Sequence, residues 1–204
     1  SLPGAAHRPS ERQLQADAQA RGVQIMTWAI NSDFTVPDRA WPAQQFYLRR
    51  GLAAARLLAA PLLRVTLGGR AETPRSQDAL IARRLAALAA ASSAVVTLEN
   101  HWGVSADIER HLQIFDAAAA ALPADLRSRF GCCFDPGNVP DGPERPRWWR
   151  ELARRANHFH LKTVAFNAAG DEIGLPHAAI FDLLAEVGYR GPVTIEYAGA
   201  GDPL

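Results

Sequence analysis

The chain has 204 residues, 48% of them hydrophobic and 21% charged, with 22 Lys plus Arg against 21 Asp plus Glu. A formal net charge of +1 excludes a nucleic acid or membrane surface gripped by bulk electrostatics. No apolar run nears the roughly 20 residues that cross a bilayer, and no basic start with an apolar core marks a signal peptide.

This length suits one domain over residues 1–204 with a sizeable core. The only two cysteines, Cys132 and Cys133, are adjacent inside an apolar run, a poor place for a structural disulfide. A reducing cytoplasm is the expected setting. Lys162 is the chain's single lysine; every other basic position that is not histidine is arginine.

In chain order, short β-rich apolar runs alternate with longer helical ones. Strands are predicted over 22–30, 62–69, 94–102, 129–138, 157–164 and 191–199. Helices are predicted at about 9–21, 40–60, 75–92, 105–121, 144–156 and 176–187. The Ala-rich "LIARRLAALAAASSA" is broken by arginines and reads as an amphipathic helix. Ser105 is placed to cap "SADIERHLQIF", and Gly188 closes "HAAIFDLLAEVG". Such alternation means βαβ units and a parallel sheet.

A doubly wound sheet and a (β/α)8 barrel both fit that pattern. The carboxyl ends of the strands decide between them, because they carry Glu99-Asn100-His101, Asp135, His160 with Lys162, and Glu196. In a barrel all these ends converge on one rim, where active sites are built. No glycine-rich phosphate fingerprint follows the first strand, as a dinucleotide-binding sheet requires. The expected fold is therefore an α/β TIM (β/α)8-type barrel. Six strands stand where a closed barrel has eight, and a barrel typically needs about 250 residues. The expectation is that the first two βα units are missing from this chain, which starts "SLPG" without methionine. Either it is a fragment, or its N-terminal side is open or reorganised.

Strand alternation assigns faces. Thr97, Glu99 and His101 share one face; so do Cys133 and Asp135; so do His158, His160 and Lys162; so do Thr194 and Glu196. Turning this polar set inward puts Glu99, Asp135, His160 and Glu196 on four successive strands, separated by 36, 25 and 36 residues. Three carboxylates and an imidazole in one place need a counter-charge. A divalent cation supplies it, and three oxygens with one nitrogen suit Mn²⁺, Mg²⁺ or Co²⁺, and Zn²⁺ less clearly. Such an ion would polarise a carbonyl or hold an enediolate. His101 and Asn138 lie beyond the ligands, where substrate hydroxyls would reach. His158 lies one layer deeper and reads as a hydrogen-bonded core histidine. His7, His111 and His177, and the Arg pairs at 49–50, 83–84 and 154–155, read as solvated. Trp148 and Trp149 read as core packing.

In order, "VTLENHWG", "CFDPGN", "HFHLKT" and "VTIEYAG" resemble the xylose isomerase-like TIM barrels of the sugar phosphate isomerase/epimerase superfamily. The C-terminal "GLPHAAIFDLLAEVGYRGPVTIEY" also resembles that family's last helix and strand. The resemblance implies that Glu99, Asp135, His160 and Glu196 are metal ligands, with Mn²⁺ first among the candidate ions. It implies that Glu99 and Glu196 move protons on opposite sides of a cis-enediolate. Two departures from the ketose 3-epimerases stand out: Asn138 where they have histidine, and no arginine shortly after His160. Lys162 is read as an inward cation, one step beyond a ligand, that binds a substrate oxygen or acts as a tunable acid. The implied function is a metal-dependent isomerase or epimerase acting on a sugar or related polyol, with small-molecule partners and association into oligomers. The alternatives are an inosose- or dehydroshikimate-type dehydratase on the same metal, or a non-catalytic barrel remnant that binds a metal or small ligand. The superfamily's DNA-cutting branch needs more histidines and a basic groove than this chain offers.

Overall fold

The computed structural model describes residues 10–200. Helix α1 (Glu11–Ala20) precedes β1 (Thr27–Ala29). Five further units follow: α2 (Trp41–Leu57) and β2 (Leu62–Val65), α3 (Asp78–Ala91) and β3 (Val95–Glu99), α4 (Ile108–Ala121) and β4 (Phe130–Phe134), α5 (Arg145–Ala153) and β5 (Ala156–Thr163), α6 (His177–Glu186) and β6 (Val193–Tyr197). Every predicted strand and helix is present, most of them trimmed at one or both ends, while β5 begins one residue earlier than expected.

All six strands are parallel and lie in the order β1-β2-β3-β4-β5-β6. A doubly wound sheet reverses its strand order at a switch point. This sheet does not reverse, so its winding is that of a barrel: six parallel strands of a partial TIM barrel with helices outside. Among the described residues β1 and β6 do not pair with each other and stand as edges.

The central strands are buried on both faces, as parallel sheets require; all five residues of β4 are buried. Outward residues Leu63, Val65, Val96, Leu98, Phe134 and Phe159 share one core cluster with Ile81 and Leu85 of α3, Ile114 and Phe115 of α4, and Leu152 of α5. Burying a side chain of this kind contributes roughly 1.5–3 kcal/mol. The face left for the barrel interior is the polar one.

Four expectations change. Asp107, rather than Ser105, caps α4, its carboxylate accepting from Arg110 N at 3.0 Å. The residue before the helix is delayed by a turn at Gly103 (φ 65), where a Cβ would strike the carbonyls of Gly68 and Gly69. His111 is fully buried, with Nδ1 3.2 Å from Ser105 Oγ and Nε2 3.5 Å from Cys132 Sγ. Arg84 is buried too: it donates to the Phe34 and Val36 carbonyls, pairs with Asp38 at 2.8 Å and lies 4.0 Å over the Trp41 ring. His177 is half-buried and its Nε2 sits 2.9 Å from the Lys162 carbonyl oxygen. His7 lies outside the described residues. Gly188 does close α6, at φ 71 with its N–H on Ala185 O. Trp149 is buried and donates to Pro136 O, Trp148 packs at the core's margin, and both cysteines are free thiols.

Candidate metal centre

Register places the site. Glu99 pairs with Cys133, Phe134 with Phe159, His160 with Thr194 and Lys162 with Glu196. Asp135 therefore stands two residues beyond Glu99's partner, and Glu196 two beyond that of His160. This stagger is what tilted barrel strands produce, and it brings staggered positions to one rim.

The structure brings Glu99, Asp135, His160 and Glu196 together, with one candidate ligand atom from each inside a 4.8 Å span. His160 Nδ1 lies 3.3 Å from Glu99 Oε1 and 3.0 Å from Glu196 Oε2. Glu99 and Asp135 are fully buried, and the Glu196 side chain is 34% exposed. Buried carboxylates are costly unless something satisfies them. Here Glu99 Oε2, His160 Nδ1 and Glu196 Oε2 are buried and face one another and the Arg64 guanidinium, 2.8 Å from Glu99 Oε2. Carboxylate oxygens and one ring nitrogen converging on one point are the donor set of a divalent ion, so these residues fit one.

Lys162 and Asn138 belong to the same cluster. Lys162 Nζ lies 2.8 Å from Asp135 Oδ2, 3.7 Å from Glu196 Oε1, and donates to Asn138 Oδ1 at 2.8 Å. Asn138 Nδ2 is 2.9 Å from Asp135 Oδ2, 3.1 Å from the Asn100 carbonyl oxygen and 3.4 Å from Glu99 Oε1. Its amide thus orients two of the carboxylates. Asp135 also accepts from Gly137 N at 2.8 Å, which folds the short turn Pro136–Asn138. A Cβ on Gly137 would come within 2.6 Å of Lys162 Cδ. His101 sits beside this group, half-buried, with its Nδ1 accepting from Trp102 N and its ring edge-on to Trp102.

The electrostatics follow the geometry. Burial pushes Asp135 up to about 6 against the pull of Lys162. The hydrogen bond with His160 takes Glu196 down to about 2, although burial works the other way. At His160 burial opposes the charged ring, but Cys133, Glu196 and Glu99 hold its proton on, up to about 12. That proton supplies the positive charge that the carboxylates call for, and an ion binding there must displace it. For Lys162 burial opposes the charge, yet Asp135 and Glu196 raise its pKa above the ordinary value. Its neighbours therefore favour the charged form, the one that suits an inward cation. Burial lowers the pKa of His101. His158 is held neutral by burial, down to about 3, with Nε2 2.8 Å from Thr194 Oγ1.

Two residues of the site have no role assigned from sequence. Arg64, mid-strand on β2, puts Nε 2.8 Å from Glu99 Oε2 and NH1 3.0 Å from Asn31 Oδ1. Its signal is a lone charge at an inward-alternating position of an otherwise apolar strand. Asn100 donates to the Asp135 carbonyl oxygen at 2.8 Å and accepts from the Asp135 N–H at 2.9 Å, tying the ends of β3 and β4 together.

With this geometry in hand, comparison with known proteins places the chain. The model of the xylose isomerase-like TIM barrel family matches residues 4–203. The C-glycoside deglycosidase alpha subunit of Microbacterium trichothecenolyticum is 32% identical over 109 residues, which are 52% of this chain and 30% of that protein. The matched stretch is thus under a third of that relative's length. The probable 3-DHS dehydratase AsbF of Bacillus anthracis superposes with a TM-score of 0.69 at 13% identity, over 93% of this chain and 76% of that one. A xylose isomerase-like TIM barrel protein from Mycobacterium smegmatis, in complex with magnesium, superposes with a TM-score of 0.66 at 14% identity, over 95% and 74%. Those two likenesses are ones of fold. Strand order, the inward polar rim and the family match over nearly the whole sequence agree: this chain belongs to the xylose isomerase-like TIM barrel family.

Proposed function

We propose that the chain is a divalent-metal-dependent isomerase or epimerase of a sugar, or of a sugar-like polyol or ketone, that works by proton transfer next to a carbonyl. One observation carries this reading: Glu99 and Glu196 flank His160 at 3.3 and 3.0 Å, and with Asp135 they bring one candidate ligand atom each inside a 4.8 Å span. Glu99, Asp135, His160 and Glu196 would hold the ion, with Mn²⁺ the first candidate. Bound there, it would acidify the C–H between a carbonyl and a neighbouring hydroxyl.

The residues of the chain divide the remaining work. Glu99 on β3 and Glu196 on β6 approach a substrate from the two ends of the four-strand arc, as general base and general acid. Lys162, held charged, faces negative charge developing on a substrate oxygen. Asn138 keeps the Asp135 and Glu99 carboxylates aimed, and His101 stands where a substrate hydroxyl can hydrogen-bond to its ring. The partner is a small molecule and the expected setting is the cytoplasm.

A second reading is elimination on the same site, by a dehydratase or a related lyase. The relative that is 32% identical favours it, since removing a sugar from carbon, as its name states, breaks a bond to carbon with the sugar as the departing group. Proton abstraction is common to both readings, and the fate of the carbanion separates them.

Thermal unfolding with EDTA, Mn²⁺, Mg²⁺, Co²⁺ and Zn²⁺ tests the site first, on the wild type and on Asp135→Ala. A ligand that binds only the folded state raises Tm by mass action, by about 2.7 kcal/mol of stability at a hundredfold excess over Kd. A rise in the wild type that is absent in Asp135→Ala is expected. Free ketoses and inososes in D₂O with the stabilising ion then read the chemistry. Deuterium at the carbon next to the carbonyl, with an isomeric product, supports isomerisation; an unsaturated product supports elimination. No Tm shift with any ion ends the metal reading and leaves a non-catalytic barrel remnant.

A further inference from the structure

One buried layer beneath the carboxylate ring lies a second donor cluster that the proton-transfer reading does not use. Cys133 and His158 are both fully buried, and with His160 they present one sulfur and two ring nitrogens within 4.8 Å of one another. A β-bulge assembles them. Cys132 pairs with Ala156, but Cys133 pairs with His158, so the register skips Asn157. The skip sets His158 abreast of Cys133 in the inward layer, and bulges next to active sites commonly re-aim a side chain in this way. The His158 and His160 rings meet edge-on at 4.9 Å.

His158 carries an independent mark of a ligand. His158 Nε2 is bonded to Thr194 Oγ1 at 2.8 Å, while its Nδ1 is buried with no hydrogen-bond partner. An imidazole oriented through one nitrogen and bare at the other is the arrangement of a metal-ligating histidine. His160 belongs to both groups, since its Nδ1 stands 3.3 and 3.0 Å from Glu99 and Glu196 of the ring above. The donors differ in kind from those of the ring above. One thiolate sulfur and two imidazole nitrogens suit soft or borderline ions, whereas a set of mostly oxygens suits hard ones.

We propose that Cys133, His158 and His160 form a second metal site, selective for a thiophilic ion such as Zn²⁺ or Cd²⁺, that shares His160 with the carboxylate ring. Three protein ligands leave the fourth tetrahedral position to water.

Cd²⁺ titration of the whole chain, followed by thiolate-to-metal absorption in the ultraviolet, tests the proposal. The wild type is expected to develop the band at one ion per chain, and Cys133→Ser to lose it. Cys132→Ser is expected to keep it, since that sulfur faces His111 on the other side of β4. Asp135→Asn is expected to keep it as well, so the lower site is read apart from the ring, whose own failure would leave this band intact. Absence of the band in the wild type, or its survival in Cys133→Ser, overturns the proposal. Because Cys133→Ser alters a fully buried position, X-ray absorption at zinc bound to the wild type gives a second reading. One sulfur near about 2.3 Å with two imidazole nitrogens near about 2.0 Å is expected. A shell of oxygen and nitrogen alone overturns the site, and a single imidazole overturns the sharing of His160.

Discussion

Glu99 and Glu196 belong to one ring but live in different surroundings. Glu99 ends β3 in the middle of the sheet, fully buried, with Arg64, His160 and Asn138 all within 3.4 Å of its carboxylate. Glu196 lies on the edge strand β6, one third exposed, held by His160 at 3.0 Å and by Lys162 at 3.7 Å. The same contrast runs through the fold. β4 is buried throughout, whereas outward-facing Val193 and Ile195 of β6 are 46% and 70% exposed. The lesson is a division of labour within one ring. The central strands fix carboxylates in low dielectric, and the edge offers one that solvent can reach.

Breaking the buried half should cost most. Arg64→Ala removes the guanidinium beside a fully buried carboxylate, and loss of one partner of a buried pair costs about 3–5 kcal/mol. The neighbours His160 and Asn138 place the expected loss at the low end of that range, read by guanidinium unfolding. Glu196→Gln is the counterpart at the edge, where a partly exposed pair is worth under about 1 kcal/mol. It should barely move stability without metal while removing the metal-dependent rise in Tm. Equal losses in the two variants would erase the distinction between the halves.

The closed half should also show itself in acid. Burial takes His111 behind β4 down to about 4, with Arg155 adding to the effect. The unfolded chain takes up a proton near the ordinary value of 6.5, so between 6.5 and about 4 it binds more protons than the folded chain. Stability therefore falls as pH drops through that window, by up to about 3 kcal/mol from this group. His111→Gln should flatten the slope of stability against pH between 6.5 and 4. An unchanged slope would mean that His111 does not titrate differently on unfolding.

Which of these residues could be read from sequence follows from where they sit. Glu99, Asp135, His160 and Glu196 were legible because each stands at or near the carboxyl end of an apolar run, where a barrel gathers its chemistry. The expected fold was legible from the alternation of runs, and the strand order then removed the doubly wound alternative. Arg64 stands mid-strand, away from the strand ends that mark the rim, and Arg84 and His111, expected in solvent, lie on the buried faces of α3 and α4. Their patterns did carry a signal. His111 lies on the stripe Ile108, His111, Leu112, Phe115, and Arg84 on Ile81, Arg84, Leu85, Leu88, spacings that put a residue on the buried face of a helix. The stagger that brings Asp135 and Glu196 level with the other ligands comes from strand tilt and a bulge at Cys132/Cys133, and neither leaves a mark in composition.

Between the two halves lies the turn that carries Lys162's neighbours. Gly137→Ala would set a Cβ 2.6 Å from Lys162 Cδ and 3.3 Å from Asp135 Oδ1. Lys162 cannot simply swing away, because its Nζ is tied to Asp135 and Asn138. A loss of about 1–2 kcal/mol is expected from this overpacking, together with weaker Mn²⁺ binding in calorimetry. Unaltered Mn²⁺ affinity would show that the lysine can move without disturbing the ring.

The smallest effect belongs at the edge. Ile195 alternates with Thr194 and Glu196, so it points away from the ring, and at 70% exposure it has little apolar surface left to lose. Ile195→Ser should therefore change stability by no more than about 0.5 kcal/mol and leave metal binding untouched. Its influence should appear in association instead. An exposed apolar residue on an unpaired parallel edge is a place where chains adhere, so the serine variant should sediment with less self-association than the wild type at the same concentration. A loss of several kcal/mol would show instead that Ile195 is covered in the folded protein in solution, and that β6 is not an open edge. Sedimentation velocity beside an unfolding curve gives both numbers from one preparation.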